Sequence, residues 1–148
     1  MKPVLLAVCG ALLGAVAPAG VRAQSAADSA AIRATALDYI EGYYTGNGDR
    51  MERALHSHLA KRRVVTDSTG RSRLGEMTAM ELVQGTRAGG GKDLPAGQKR
   101  TDVTILDIYG NAASVKINAG LWIDYLHIAK WNGRWQIVNV LWETPPHP

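Results

Sequence analysis

Residues 121–142 read Leu121-Trp122-Ile123-Asp124-Tyr125-Leu126-His127-Ile128-Ala129-Lys130-Trp131-Asn132-Gly133-Arg134-Trp135-Gln136-Ile137-Val138-Asn139-Val140-Leu141-Trp142. Two runs of aromatic and branched residues flank Asn132-Gly133. That dipeptide readily takes the two positive-φ positions of a type I′ turn, so the stretch predicts a long β-hairpin. All four tryptophans of the chain lie within it. Asp124, His127 and Asn139 interrupt its apolar pattern, and a sheet that only had to be stable would not need them. The hairpin is therefore expected to wall a pocket.

Upstream of the hairpin the pattern keeps period two from Thr101. Val103, Ile105, Asp107 and Tyr109 are expected on one face of a strand, with Thr104, Leu106 and Ile108 on the other. Gly110-Asn111 turns the chain, residues 112–119 return, and Gly120 breaks the path before the hairpin. The N-terminal half is helical instead. A polar leader, residues 24–28, precedes a helix capped by Asp28 or Ser29 and running to about Thr45, with Ile32, Ala36, Tyr39, Ile40 and Tyr43 on its buried face. Gly46-Asn47-Gly48 stops it. Asp49 is expected to cap a short second helix to about Leu55. His56-Ser57-His58 and a basic segment follow, then a short strand from Val64 turned at Ser68-Thr69-Gly70. Thr78-x-x-Glu81 is a capping box for a third helix, with Met80, Leu82 and Val83 supplying apolar contacts. The run Ala88-Gly89-Gly90-Gly91-Lys92 ends that helix in a flexible loop, and it lacks the spacing and the following Ser or Thr of a phosphate loop. Helices first and an antiparallel meander after them indicate an α+β domain.

Residues 1–23 are set apart by composition. A basic start at Lys2, an apolar run over residues 4–16, and Val21-Arg22-Ala23 make a secretory signal peptide with cleavage after Ala23. The run is short of the ~20 residues a spanning helix needs. The remaining 24–148 form one domain, secreted or periplasmic. Cys9 is the single cysteine of the chain; it leaves with the signal peptide, so neither a disulfide framework nor a thiolate metal site is expected. Losing Lys2 and Arg22 from 17 basic residues leaves 15 against 13 acidic ones, a net of +2. The residual positive charge gathers at Arg50, Arg53, Lys61, Arg62, Arg63, Arg71 and Arg73 and reads as a solvated basic face. No aromatic residues are interleaved with it, which argues against a nucleic-acid surface.

Residues 124–142 closely resemble the C-terminal signature of the "putative lumazine-binding" proteins, a branch of the nuclear transport factor 2-like (SnoaL-like) superfamily. Asp38-Tyr39-Ile40-Glu41-Gly42-Tyr43-Tyr44, with Asp49-Arg50-Met51-Glu52-Arg53-Ala54-Leu55-His56, is similar to that family's first two helices. The resemblance covers nearly the whole mature chain. It implies a cone-shaped, cystatin-like domain: a strongly curved antiparallel sheet wrapped around N-terminal helices, a pocket between them, and pairing into a homodimer through the sheet. The superfamily holds isomerases, dehydratases, cyclases, ligand carriers and adaptors, so function has to be argued from the site.

Asp124 shares strand parity with Trp122, Leu126 and Ile128, whereas Ile123, Tyr125, His127 and Ala129 point the other way. If the Trp122 face lines the pocket, Asp124 sits among large apolar groups as a candidate general acid or base. Its alternative role is to bind a neighbouring backbone group or arginine and fix the sheet's curvature. Tyr39 and Tyr43, four residues apart, share a helical face. The resemblance turns that face into the cone, where a phenol donates to a ligand carbonyl or simply fills the core. The resemblance also places His56 near the pocket mouth as a proton shuttle. The family often carries a proline and an acid after this histidine, and here Ser57 and His58 stand instead. Trp122, Trp135 and Trp142 either stack a flat ring such as a pterin or fill the core, and Asn139 orients a ligand through its amide. Trp131, beside the turn, is expected at the surface. His56 and His58 with His127 and Asp124 have a metal site's composition, but His127 opposes Asp124 across the strand, so no metal is expected. Met77 and Met80 read as helix packing.

The sequence thus predicts an exported small-molecule-binding protein with a hydrophobic conical pocket. The expected ligand contacts are Tyr39, Tyr43, Trp122, Asp124, Asn139 and Trp142, and the ligand is a small apolar or aromatic molecule. No cofactor, no nucleic-acid partner and no membrane contact after signal cleavage are expected. The alternative is a cofactor-independent isomerase, dehydratase or cyclase, with Asp124 and His56 in proton transfer and Tyr43 as hydrogen-bond donor. A second alternative is a dimeric interaction module whose pocket is vestigial, plugged by Trp122 and the helix near Met77 and Met80.

Overall fold

The computed structural model describes residues 19–145, with side chains from Ala26 onward. The expected signal peptide lies outside the described residues over positions 1–18. The elements run α1 (Ala19–Thr45), α2 (Gly48–Ala54), β1 (Leu55–Thr66), β2 (Ser72–Thr78), α3 (Ala79–Arg87), β3 (Lys99–Tyr109), β4 (Ala112–Gly120), β5 (Ile123–Trp131) and β6 (Arg134–Glu143). The strands form one curved, open sheet in the order β2-β1-β6-β5-β4-β3. Every neighbouring pair is antiparallel except β1 and β6, which run parallel. The sheet is thus a hairpin, β1 and β2, joined edge to edge with a four-stranded meander. The fold class is α+β, as expected from helices preceding a meander.

The β5–β6 hairpin closes at Asn132 and Gly133, with φ of 49° and 78°. Both are positive, as a type I′ turn requires. Its register pairs Asp124 with Trp142 and His127 with Asn139. Inward positions are dry: Asp124, Leu126, Ile128, Ile137 and Val140 are all buried. They meet Ile32, Ala36, Tyr39, Ile40 and Tyr44 of α1 in one apolar core. The Thr78/Glu81 capping box is present at the head of α3, each partner satisfying the other's backbone N–H.

Several expectations are corrected. Helix α1 continues back to Ala19 through the small residues expected to be a loose leader, and Asp28 is not its cap. The Asp28 carboxylate instead accepts from Lys130 and Trp135. Tyr44, not Tyr43, is the more deeply buried of the two neighbours. Its hydroxyl donates to the Ala119 and Arg100 carbonyls, and burial pushes its pKa up to about 12. Asn47 rather than Asp49 caps α2, accepting from the Arg50 N–H. Strand β1 starts at Leu55, so the His56-Ser57-His58 turn is strand; a bulge between Leu55 and Ala60 against β6 absorbs the extra residues. In β3 a register shift between Ile105 and Asp107 reverses the alternation. Ile108 therefore packs on the core while Tyr109, expected beside Val103, is 85% exposed. Met80 is exposed as well, and Met77 belongs to β2 rather than to a helix.

The basic segment is not one solvated face. Arg50 pairs with Asp38 and Glu41, Arg53 with Asp38, and Arg62 with Glu76. Lys61 lies at 5% exposure, because β1 starts at Leu55 rather than at the expected Val64 and the parity of Leu59 carries Lys61 inward.

Candidate functional site

Asp124 is fully buried in the middle of the sheet, between Trp142 on β6 and Ile117 on β4. A carboxylate there is tolerable only if each charge and lone pair finds a partner. Lys61 Nζ approaches Oδ1 at 2.6 Å, Trp122 Nε1 donates to Oδ2 at 2.7 Å, and the Tyr39 hydroxyl donates to Oδ2 at 3.3 Å. Lys61 also donates to the Tyr39 hydroxyl oxygen at 2.6 Å. Lys61, Asp124 and Tyr39, from β1, β5 and α1, close a ring of charge-assisted hydrogen bonds, and Trp122 of the β4–β5 connection donates into it. Burial lowers the Lys61 pKa, and the Asp124 carboxylate opposes that shift. Burial, reinforced by the same carboxylate, raises the Tyr39 pKa well above the usual phenol value.

Beside this ring lies a cavity of about 380 Å³, within the range of small-molecule pockets. Tyr43, Trp122 and Trp142 form aromatic walls, Met77 and Leu82 add apolar surface, and Lys61 is its charged floor. Asp124 itself does not line the cavity; it sits behind Lys61 and Trp122. Tyr43 and Trp122 meet edge to face, with centroids 5.7 Å apart at 90°. Trp142 has Lys61 Nζ 4.9 Å from its ring centre and the Arg63 guanidinium at 4.6 Å. The glycine run after α3 holds this wall in place. The Gly91 N–H donates to the Tyr43 carbonyl at 3.0 Å, and a Cβ on Gly91 would stand 2.6 Å from the Tyr43 ring. Only glycine lets the loop approach that closely.

Of the residues singled out in the sequence, Tyr39, Tyr43, Trp122, Asp124 and Trp142 come together at this place. His56 does not. Its ring packs on His58 and on Trp131, at the opposite end of the hairpin, with centroids 5.4 and 5.3 Å away. Asn139 faces away too, since its cross-strand partner is His127 and its side chain meets Arg62 and His127. Trp135 is buried, but against Asp28. Among the described residues no three His, Cys, Asp or Glu side chains cluster as metal ligands would. Sequence reasoning missed Lys61 and Thr86. The signal for Lys61 was its even spacing from Leu55 and Leu59; nothing in the sequence marked Thr86.

Comparison with known proteins agrees with this architecture. An NTF2-like protein of unknown function from Shewanella baltica OS155 is 20% identical, with 82% of this chain and 97% of that one covered and a TM-score of 0.61. An NTF2-like protein with a cystatin-like fold from Novosphingobium aromaticivorans is 10% identical, covering 87% and 89%, with a TM-score of 0.63. No curated protein matches the chain. A family model described as "Putative lumazine-binding" matches residues 27–143. That match takes in most of α1, all of α2 and α3, the whole sheet and every residue of the buried cluster, and the chain belongs to this family.

Proposed function

We propose that the domain binds a small, flat heteroaromatic molecule, of pterin type, without transforming it. The observation that carries this reading is the cavity of about 380 Å³ lined by four aromatic side chains, Tyr39, Tyr43, Trp122 and Trp142, with one cation, Lys61, at its floor and one carboxylate, Glu81, already held by Thr78. Such walls favour a planar ring, and an ammonium group held in place beneath them favours a ligand with a hydrogen-bond acceptor on its edge. The family description points to the same class of compound. A carrier needs no free acid or base, and Asp124 already accepts from Lys61, Trp122 and Tyr39. Titrating the purified domain with lumazine and following tryptophan fluorescence and heat tests the reading. Saturable one-site binding that is lost in Lys61→Met supports it, and absence of binding by lumazine and by related pterins rejects it.

An enzymatic reading has one observation in its favour. Tyr39 and Lys61 are 2.6 Å apart beside the cavity, and Lys61 is held below its usual pKa. In that version proton transfer runs through these two groups; the originally expected couple of Asp124 with His56 would have to span most of the hairpin. Turnover of a bound probe that disappears in Tyr39→Phe, with binding retained, would favour it.

We further propose export, with 24–148 as the mature domain. Among the described residues the first side-chain anchor of α1 to the sheet is Asp28, downstream of the expected cleavage point. Among the described residues no helix is long and apolar enough to cross a membrane. Pairing of two copies through the sheet is supported by the outer face, where Tyr125 and Leu141 are cross-strand neighbours and both exposed. Light scattering of the mature protein at the mass of two chains would support that pairing, and a single-chain mass would reject it.

A further inference from the structure

The Thr86 hydroxyl is the one buried side-chain polar atom among the described residues that has no hydrogen-bond partner. Its residue is 1% exposed and lines the same cavity as Lys61, from the α3 wall. Threonines within helices usually satisfy themselves by donating to the carbonyl four residues back. Thr45 of this chain does so, donating to the Glu41 carbonyl at 2.7 Å, and Thr86 does not. An unsatisfied buried hydroxyl costs stability, so its retention beside a cavity calls for a use.

Lys61 supplies the complementary half. An ammonium has three N–H donors. Two are taken by Asp124 and Tyr39, both at 2.6 Å, which leaves the third for the Trp142 face and the cavity. Besides the aromatic walls Tyr43, Trp122 and Trp142, four polar side chains line the cavity: Lys61 from β1, Tyr39 from α1, and Glu81 and Thr86 from α3. The Tyr39 hydroxyl is engaged by Asp124 and Lys61 and the Glu81 carboxylate by Thr78, which leaves, of these four, the third Lys61 N–H and the Thr86 hydroxyl.

We infer that Thr86 and Lys61 are a two-point polar anchor for the ligand. The inference rests on the binding reading above and narrows it. The ligand presents a ring carbonyl or ionised lactam to Lys61 and a second polar edge atom to Thr86, with its faces between the aromatic walls. Cyclic imides and lactams of fused heteroaromatic rings meet both demands. Alkyl chains and unsubstituted arenes meet neither and would leave the Thr86 hydroxyl and the third Lys61 N–H without an acceptor or donor.

The test compares wild type, Thr86→Val and Thr86→Ser by calorimetric titration with lumazine, a fused-ring dione, and with naphthalene, a fused ring of similar size without polar edge atoms. Melting curves without probe are recorded in parallel. Valine keeps the shape and removes the hydroxyl. The expected result has three parts. Thr86→Val weakens lumazine by about five- to tenfold, the change that one lost hydrogen bond produces. Thr86→Ser stays within about threefold of wild type, and Thr86→Val melts no lower than wild type because it discards an unsatisfied group. Naphthalene, making neither bond, binds both proteins equally weakly. Equal lumazine affinity in wild type and Thr86→Val overturns the anchor while leaving the binding reading in place. A drop in the melting temperature of Thr86→Val also overturns it, since the hydroxyl would then be satisfied within the apo protein. If lumazine fails to bind wild type, the binding reading itself falls and the anchor falls with it.

Discussion

The two ends of the β5–β6 hairpin carry the same chemistry in different surroundings. At one end Asp124 accepts from Lys61 and Trp122; at the other Asp28 accepts from Lys130 at 2.8 Å and Trp135 at 3.0 Å. Each is a carboxylate held by one ammonium and one indole. In the first the lysine and aspartate side chains are 6% and 0% exposed, and in the second 23% and 16%. The Asp28 cluster fastens α1 to the tip of the sheet where water can still reach it. The Asp124 cluster is dry, recruits Tyr39 as a fourth member, and borders a cavity. Identical donors and acceptors thus make a staple at one end and the floor of a pocket at the other, and burial is what separates them.

The sharpest way to break the comparison is to remove each carboxylate in turn. Asp124→Asn leaves Lys61 charged with no counter-charge and no water. Its escape is to lose its proton, which from an ordinary value of 10.5 costs about 4–5 kcal/mol at pH 7. Asp124→Asn should therefore lose about 3–5 kcal/mol in urea denaturation. The sign of its pH dependence follows. Lys61 in this variant has a folded pKa further below its unfolded value, so the unfolded chain binds more protons and stability should rise between pH 7 and 9. Lys61→Met with Asp124→Leu should recover much of the loss, since no charge then remains buried. A loss under 1 kcal/mol in Asp124→Asn would show that water reaches the site and that the two ends are alike.

The same dry cluster should be visible at high pH. Tyr39 is held well above the usual phenol value, mainly by burial, and Tyr44 is pushed up to about 12. The unfolded chain releases these protons near pH 10 and the folded chain keeps them. The stabilisation is therefore complete below about pH 10 and is lost as pH rises toward the folded values. Lys61, with its lowered pKa, works in the opposite sense and adds stability with rising pH until its unfolded value of 10.5 is passed. Stability should consequently hold to about pH 10 and fall between 10 and 12. Ultraviolet titration should show two tyrosines ionising only as the fold is lost. All five phenols titrating with the fold intact would contradict the burial of Tyr39 and Tyr44.

At the wetter end the effect should be smaller. Asp28→Asn frees Lys130, whose side chain is already 23% exposed and can turn to solvent. A loss of about 1 kcal/mol is expected, shrinking further in high salt, because partly exposed pairs are screened. A loss matching that of Asp124→Asn would mean that burial does not explain the contrast.

Much of this contrast was legible in the sequence, and the reason lies in periodicity. The Asn132-Gly133 turn and alternation along β5 put Asp124 on one face with Trp122, Leu126 and Ile128, but left open which face turns inward. Helical spacing grouped Tyr39 with Tyr43, and only the family resemblance turned that face toward the sheet. Lys61 was not legible, because its neighbours Arg62 and Arg63 give the segment the look of a solvated run. Only the extension of β1 back to Leu55, driven by pairing with β6, fixes which of the three points inward. The bulge in β3 was equally hidden, since a register shift changes no local residue preference. Thr86 became visible only through a hydrogen bond it does not make, which is a property of packing and not of pattern.

His56 and Asn139 give the smallest predicted effect and the most discriminating one. Both were expected at the pocket from residue type and family resemblance. Yet His56 lies against Trp131, and Asn139 faces Arg62 and His127 on the outer side of the sheet. Along β5 seven residues separate Trp131 from Asp124, roughly 23 Å of strand at ~3.3 Å per residue. No side chain spans that distance, and a proton relay would need intermediates the sheet does not supply. His56→Ala and Asn139→Ala should therefore each leave lumazine affinity within about twofold of wild type, the spread expected of surface substitutions away from a site. Calorimetric titration of both variants beside Lys61→Met makes the measurement decisive. If His56→Ala weakens binding as much as Lys61→Met does, the ligand sits at the tip of the hairpin rather than at its base. The exchange of roles between the two carboxylate clusters would then have to be reversed.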